Sequence, residues 1–357
     1  MDNHRQPTLQ EIADKCGVSK TTVSLALRNH PKISEGTRLK IQKVADEIGY
    51  HPNPLVAAHM ATLRTRRASQ YQATLGLISD WPIEDLIDSD EGSDHYSEST
   101  VYRYIQGIRK RATELGFEVD MISISEPGMS GKRATQILES RGIRGIIMTP
   151  LSTPEGSYDL DWSKFATVAL GYSMRAPQVH RVCHDNYSTM RVVTRYLREL
   201  GFNRIRVAMD LQDDIRVKNL WTGGFLSRMS FYPEYSDIQN FVTDEWNKDA
   251  FVQWLKDEKP DAVISIGDIV LEWASSAGYR VPEDFAVVTV GKIGGAISGY
   301  SQNSELMGEA AVDKLVGLLH TNTVGVPDNP QVVLVQGEWF HGRTLGRCAP
   351  IAPVDEG

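Results

Sequence analysis

The run Val18-Ser19-Lys20-Thr21-Thr22-Val23-Ser24-Leu25-Ala26-Leu27-Arg28 carries two cations and several short hydroxyls at helical spacing. In a helix, Lys20, Thr21, Ser24, Leu25 and Arg28 project together. Val23, Ala26 and Leu27 then form the opposite, inner face. Lys20 suits a guanine edge, the hydroxyls suit groove acceptors or phosphates, and Leu25 offers only apolar contact, for instance to a thymine methyl. Arg28 extends the polar face by a further turn. This is the chemistry of a helix that enters the DNA major groove.

Such a face has to be held by neighbouring elements, and the flanking residues supply them. Thr8-Leu9-Gln10-Glu11 is a capping box that satisfies the first orphan amides of a helix. Leu9, Ile12, Ala13 and Cys16 follow at i, i+3, i+4 and i+7, an apolar stripe that must pack against something. Gly17 supplies the positive φ that ends this helix, and Ser19 caps the next. Ser34 caps a third helix with Ile41, Val44, Ala45 and Ile48 inward, closed by Gly49. Residues 1–50 therefore read as a helix-turn-helix headpiece.

Residues 51–72 read as a hinge helix and linker. Asn53 between Pro52 and Pro54 is an N-cap with proline at the first helical position. The residues after it favour helix but are too few to be stable alone, so they need a partner, either their own copy in a dimer or DNA. Arg64, Arg66 and Arg67 follow and are placed to meet phosphates, the alternative being a solvated linker.

Charge separates this head from the rest. Residues 1–72 hold 11 Lys/Arg against 6 Asp/Glu, a net of +5; the remaining 27 and 40 give −13, summing to the chain's −8. A basic head on an acidic body fits a polyanion-binding module whose other half is kept off the polyanion. The three cysteines, Cys16, Cys183 and Cys348, are too few and too far apart for a disulfide framework. No apolar run approaches the ~20 residues of a membrane span, and Met1-Asp2-Asn3-His4-Arg5 has no apolar signal region. The expectation is a cytoplasmic protein without membrane contact.

From residue 73 to 347 short apolar runs alternate with helical patterns. Strands are expected at 74–79, 118–124, 145–149, 167–170, 204–209, 262–266, 286–290 and 332–335. Helices are expected at 101–115, 132–140, 188–200, 249–256 and 304–320. Strand–helix alternation means parallel sheets with right-handed crossovers, and roughly 270 residues of it favours two lobes over one sheet. The fold class is α/β: an all-α headpiece followed by a two-lobed, doubly wound core. Ligands of such sheets bind at the carboxyl ends of the strands, here between the lobes, with the acidic stretch 80–99 on that side. Residues 348–357 form a C-terminal tail.

Several side chains in the core could meet a ligand. Trp81, Trp221 and Trp246 are stacking platforms for a sugar ring, or alternatively fill lobe cores or a dimer face. Asp268 is a strand-end carboxylate suited to orienting hydroxyls, or to capping a helix. His180, Cys183, His184 and Asp185 resemble a metal cluster, but the segment reads as a strand, where i and i+4 lie ~13 Å apart. No metal and no cofactor are expected. Gly128-Met129-Ser130-Gly131-Lys132 echoes a phosphate loop, yet Arg133 follows where Ser or Thr is needed, which excludes that class. No Gly-x-Ser-x-Gly elbow is present.

On these residues the chain resembles the lactose-repressor family. Thr8 to Ala13, Gly17-Val18-Ser19, Thr22-Val23-Ser24, Ser34, Thr37-Arg38, Gly49-Tyr50 and Pro52-Asn53 are similar to its headpiece. Gly107, Ala112, Leu115-Gly116-Phe117, Asp185-Asn186, Leu200-Gly201-Phe202, Arg204-Ile205, Val281-Pro282-Glu283-Asp284 and Gly308 are similar to its regulatory core. The resemblance implies a homodimer, or a dimer of dimers, on a pseudo-palindromic operator. It also implies a periplasmic-binding-protein-like core that senses a small molecule, commonly a sugar. It assigns DNA contact to Thr8, Ser19, Lys20, Thr21, Thr22, Ser24, Leu25, Arg28, Thr37, Tyr50 and Asn53, and to His59 or Met60 as minor-groove wedge. The family's intercalating Leu falls at His59, so either Met60 takes over or His59 stacks.

The effector site departs from the family pattern. The ligand-binding Arg three residues before a Gly is replaced by Trp221 before Gly224, with Arg216 and Asn219 close in sequence. Of an Asn-Asp pair only Asp268 remains, and a Gly-aromatic-Asp has become Thr289-Val290-Gly291. Trp81, Arg216, Asn219, Trp221 and Asp268 are the expected effector contacts in a rebuilt pocket. The functional expectation is a DNA-binding transcriptional regulator, in the first instance a repressor, controlled by a sugar or sugar derivative. Alternatives are a non-sugar effector, a ligand-dependent co-repressor or activator, and more remotely a sugar receptor or an enzyme.

Overall fold

The computed structural model describes residues 9–27, 33–48, 73–82, 96–232, 237–291 and 297–346. Two compact units divide at residue 70. In the first, α1 (Leu9–Cys16), α2 (Lys20–Leu27) and α3 (Glu35–Glu47) enclose Ile12, Ala13, Cys16, Val23, Ala26, Ile41 and Ala45. Gly17 has φ +69°, and the Val18 amide donates back to the Ala13 carbonyl at 3.0 Å, which closes α1 as the turn requires.

In the second unit the strands are, in chain order, β1 (Ala73–Ser79), β2 (Phe117–Ser123), β3 (Gly145–Met148), β4 (Gly156–Ser157), β5 (Ala166–Leu170), β6 (Met174–Ala176) and β7 (His180–His184). There follow β8 (Ile205–Asp210), β9 (Phe241–Thr243), β10 (Ala262–Ser265), β11 (Ala286–Thr289), β12 (Ser298–Ser301), β13 (Val332–Val335) and β14 (Glu338–Phe340). The first lobe's sheet runs β13-β7-β5-β3-β1-β2 and is parallel throughout. The second runs β14-β12-β11-β10-β8-β9, with β14 antiparallel at its edge. A small β4–β6 pair stands apart.

Both sheets are covered on both faces, as parallel strands require. Leu75, Leu77, Val168 and Val182 face α4 (Tyr96–Glu114) and the helix Ser304–His320, while Ile78, Ile146 and Met148 face α5 (Gly131–Ser140). In the second lobe Val207, Met209, Ile264 and Val288 pack with α6 (Asn186–Glu199), and α7 (Leu211–Arg216) and α8 (Leu220–Met229) follow β8 on that side of the chain. Ala208, Val263 and Val287 meet α9 (Lys248–Glu258) and α10 (Ile269–Ser276). The helix Ser304–His320, α11, crosses α4 where two glycines meet. A Cβ on Gly107 would lie 1.9 Å from the Glu305 carbonyl oxygen, and one on Gly308 2.3 Å from that of Tyr104. Only residues without a side chain permit that approach.

The chain passes between lobes three times: after β7, between β12 and α11, and between β13 and β14. Hydrogen bonds tie these crossings together. The Asp185 amide donates to the Val335 carbonyl at 3.0 Å, and Asn303 Nδ2 to the Gln336 carbonyl at 3.0 Å. The three strands bound one hinge.

Candidate ligand cleft and DNA-reading face

Beside that hinge, at the carboxyl ends of the strands, a cavity opens between the lobes. Trp81, Tyr104, Tyr172 and Trp221 give it aromatic walls, and Asp213, Arg216 and Gln302 give it polar ones. Trp81 is fixed by its indole N–H, which donates to the Pro150 carbonyl at 3.0 Å. Trp221 is 2% exposed and packs in the second lobe's core, its ring 5.8 Å from that of His184.

Helix α7 supplies the charge. Asp210 caps it, accepting from the Gln212 amide at 2.9 Å. Asp214 is buried and accepts from the Thr222 amide at 3.2 Å and from Asn219 Nδ2 at 3.2 Å. It thereby holds the left-handed turn at Asn219, φ +57°, that starts α8. Asp213, between them, faces the cavity; burial pushes its carboxyl up to about 6, against the pull of Arg216. Arg216 spans the cleft: its guanidinium donates to the carbonyls of Leu151, of Ser152 at 3.0 Å and of Thr153 at 3.4 Å, all in the first lobe. In return Arg175 of the first lobe donates to the Ile215 carbonyl at 2.8 Å, and Lys218 Nζ lies 5.2 Å from the Tyr172 ring centre. Segment 215–218 is thus a latch that holds the lobes closed.

Of the five residues expected at the effector, Trp81, Arg216 and Trp221 line this cavity; Asn219 and Asp268 do not. Asn219 is engaged with Asp214, and Asp268 stands at the start of α10. Trp246 belongs to an aromatic cluster with Trp273, at 4.9 Å, and Phe241, at 5.6 Å, on the far face of the second sheet. Its reading as a core-filling ring is the one the packing supports. Asp213, Tyr104, Tyr172 and Gln302 were not anticipated. The strand-end logic applied to Asp268 applies equally to Asp213, three residues beyond β8, and was the signal available for it.

The His180–Asp185 stretch has separate structural duties. His180 Nδ1 accepts from the Gln331 amide at 3.1 Å. His184 is buried between the Val335 carbonyl, 3.1 Å from Nδ1, and the Thr189 hydroxyl, 2.8 Å from Nε2. Burial lowers its pKa to about 4. Burial pushes the Cys183 thiol up to about 12, and Asp185 caps α6 through the Ser188 amide at 3.1 Å. No cluster able to hold a metal occurs among the described residues. Ser130 of the phosphate-loop echo caps α5, accepting from the Arg133 amide at 3.2 Å. Among the described residues no helix is long and apolar enough to cross a membrane.

In the headpiece, Ser19 Oγ accepts from the Thr22 amide at 3.1 Å and lies 2.9 Å from the Thr22 hydroxyl, capping α2. Ser34 pairs with Thr37 in the same way. Lys20 is exposed and Leu25 half-buried, while Val23 and Ala26 are buried, so α2 turns its two faces as its sequence requires. Thr21 and Ser24 lie on the same helix. Thr8, Arg28, Tyr50, Asn53, His59 and Met60 lie outside the described residues.

Comparison with known proteins agrees with this division. Residues 8–53 match the model for bacterial regulatory proteins of the lacI family, and residues 194–344 that for a periplasmic binding protein-like domain. The HTH-type transcriptional regulator CelR of Thermobifida fusca is 26% identical over 89% of this chain and 94% of its own. Among solved structures, a transcriptional regulator CelR–cellobiose complex has a TM-score of 0.56 at 20% identity, covering 95% of this chain and all of that one. A lac repressor dimer bound to operator and the anti-inducer ONPF has a TM-score of 0.54 at 19% identity, covering 95% and 99%. A lacI-type helix-turn-helix segment ahead of a periplasmic-binding-protein-like domain, similar to CelR along nearly the whole chain, is the architecture of a transcriptional regulator of the lacI family.

Proposed function

We propose that this protein is a repressor whose affinity for operator DNA is set by a sugar or sugar derivative held between the two lobes. The observation that carries this reading is the aromatic-walled cavity with Asp213, Gln302 and Arg216 at the strand ends. Flat rings stack on the apolar faces of a pyranose while a few polar groups orient its hydroxyls. The cellobiose complex of a CelR regulator of like fold supports a sugar as the ligand.

The DNA-facing residues are Lys20, Thr21, Thr22, Ser24 and Leu25 on α2, with Thr8, Ser19, Arg28, Thr37, Tyr50 and Asn53 beside them and His59 or Met60 as wedge. Two subunits, acting in the cytoplasm, engage the two halves of a pseudo-palindrome. Domains follow the sequence boundaries: headpiece 1–50, hinge helix and linker 51–72, core 73–347 and tail 348–357. Ligand in the cleft alters lobe closure across the 215–218 latch and thereby biases the folding of the hinge helix, which is marginal alone.

A thermal-shift screen with sugars and sugar phosphates, followed by operator binding with and without each hit, tests the effector. Lys20→Ala is expected to weaken specific operator binding about tenfold or more in a gel shift; unchanged affinity sinks the assignment of the reading face.

A further inference from the structure

Among the described residues, the charged groups that line the cavity are Asp213 and Arg216. Arg216 directs its guanidinium at three first-lobe carbonyls, so its donors are already committed. Asp213 differs from both acids beside it. Asp210 caps its helix and Asp214 takes Thr222 and Asn219, whereas no hydrogen bond or ion pair reaches Asp213 among the described residues. A half-buried carboxylate left without a donor is costly unless something else brings one. The walls beside it are Trp81, Tyr104, Tyr172 and Trp221, whose π faces attract a cation.

We propose that the cleft is built for an effector bearing a protonated amine, an amino sugar or similarly hydroxylated amine, whose ammonium sits on Asp213 and whose apolar faces lie on the aromatic walls. This rests on the reading of the cleft as the effector site. An anionic effector meets the Asp213 carboxylate, with Asp210 and Asp214 adding their repulsion from the same helix and cap, and among the described residues no uncommitted lining cation. Among the described residues the surrounding charges are accounted for. Arg216, Asp210 and Asp214 act on Asp213 from its own helix and cap. Tyr104 and Tyr172, on the same cavity, are phenols kept neutral by burial. Lys218 and Arg181 lie over the Tyr172 ring at 5.2 and 5.7 Å, and Arg175 is tied to Glu155 at 2.8 Å and to Ile215. That leaves Trp81, Tyr104 and Trp221 for the ligand. The His184 imidazole beside Trp221 is neutral above about pH 4 and does not compete.

Three probes share one β-1,4-glucosyl skeleton: the glucosamine disaccharide, cellobiose and cellobiose 6-phosphate. Calorimetric titration of the full chain at pH 6.8 is expected to rank them in that order, the amine at least about tenfold ahead of cellobiose. At pH 5.3 Asp213 is largely protonated while the amine stays charged, and amine affinity falls about fivefold. Asp213→Asn abolishes both the preference and its pH dependence; Asp213→Glu, which keeps the charge, keeps the preference. Equal or tighter binding of cellobiose or its phosphate, or an unchanged preference in Asp213→Asn, overturns the proposal and leaves the cleft reading standing. Binding that Trp81→Ala and Trp221→Ala both fail to weaken, or no binding by any of the three, overturns the cleft assignment and the proposal with it.

Discussion

Removing Arg216 should open the cleft. Its guanidinium carries the polar bonds from α7 to the Leu151, Ser152 and Thr153 carbonyls across the gap between lobes. Hydrogen bonds from a charged donor contribute about 1.5–3 kcal/mol each when buried. One is part-buried and two are exposed, so water can replace them, and about 2 kcal/mol for the set is an upper figure. That is a factor of about 30 in the closed-to-open ratio. The Arg175–Ile215 bond and the Lys218–Tyr172 contact remain and keep the opening partial. Arg216→Ala is therefore expected to raise the radius of gyration in small-angle scattering and to speed amide exchange at Ser152, whose N–H donates to Asp80 at 3.0 Å beneath the latch. Effector affinity should fall in proportion to the lost closed population. Arg216→Lys, a point charge without the planar fork, should lie between the two. Unchanged scattering and exchange in Arg216→Ala would refute the latch.

Other expectations concern stability. Gly308→Ala forces α4 and α11 apart, since its Cβ would lie 2.3 Å from the Tyr104 carbonyl oxygen. It should cost about 1–3 kcal/mol, visible as a lowered core melting temperature in calorimetry; no shift would contradict the close crossing. Asp213→Asn should stabilise the ligand-free protein at pH 7. The Asp213 carboxyl is raised from 3.8 to about 6 in the fold, so its charged form destabilises the native state above pH 6 and the penalty vanishes towards pH 4. The gain is at most about 3 kcal/mol and should shrink with acid in urea titrations. His184, lowered to about 4, works the other way: its neutral burial costs stability as pH falls from 6.5 to 4. The Asp213→Asn variant should therefore lose stability with acid more steeply than the parent protein.

The headpiece was legible almost residue by residue because local signals dominate it: a glycine stop at Gly17, serine caps at Ser19 and Ser34, and a 3.6-residue stripe from Ile12 to Cys16. The apolar buried strands were equally readable, since Leu75–Ser79 or Ala262–Ser265 can be nothing else in an α/β alternation. The short elements of the second lobe were not. Helix α7 is six residues with three acids in and around it, and its apolar face is little more than Ile215. Strands β9, β12 and β14 are three or four residues long, and Ser298–Ser301 has no apolar pattern to reveal burial. The site suffered for the same reason. Trp81 and Trp221 announce themselves by type, but which strand-end acid meets the cavity depends on how far each strand runs before turning. Asp213 and Asp268 look alike in sequence, and only the path of α7 brings Asp213 to the cavity.

The most direct test of the central claim is the operator affinity of the full chain, by fluorescence anisotropy, as a cleft ligand from the screen is titrated in. Coupling of about 1–3 kcal/mol should move that affinity roughly five- to 150-fold. Trp81→Ala, at a partly buried ring of the cavity wall, should remove the response while leaving ligand-free operator binding intact. A ligand shown to occupy the cleft that leaves operator affinity unmoved would contradict the claim.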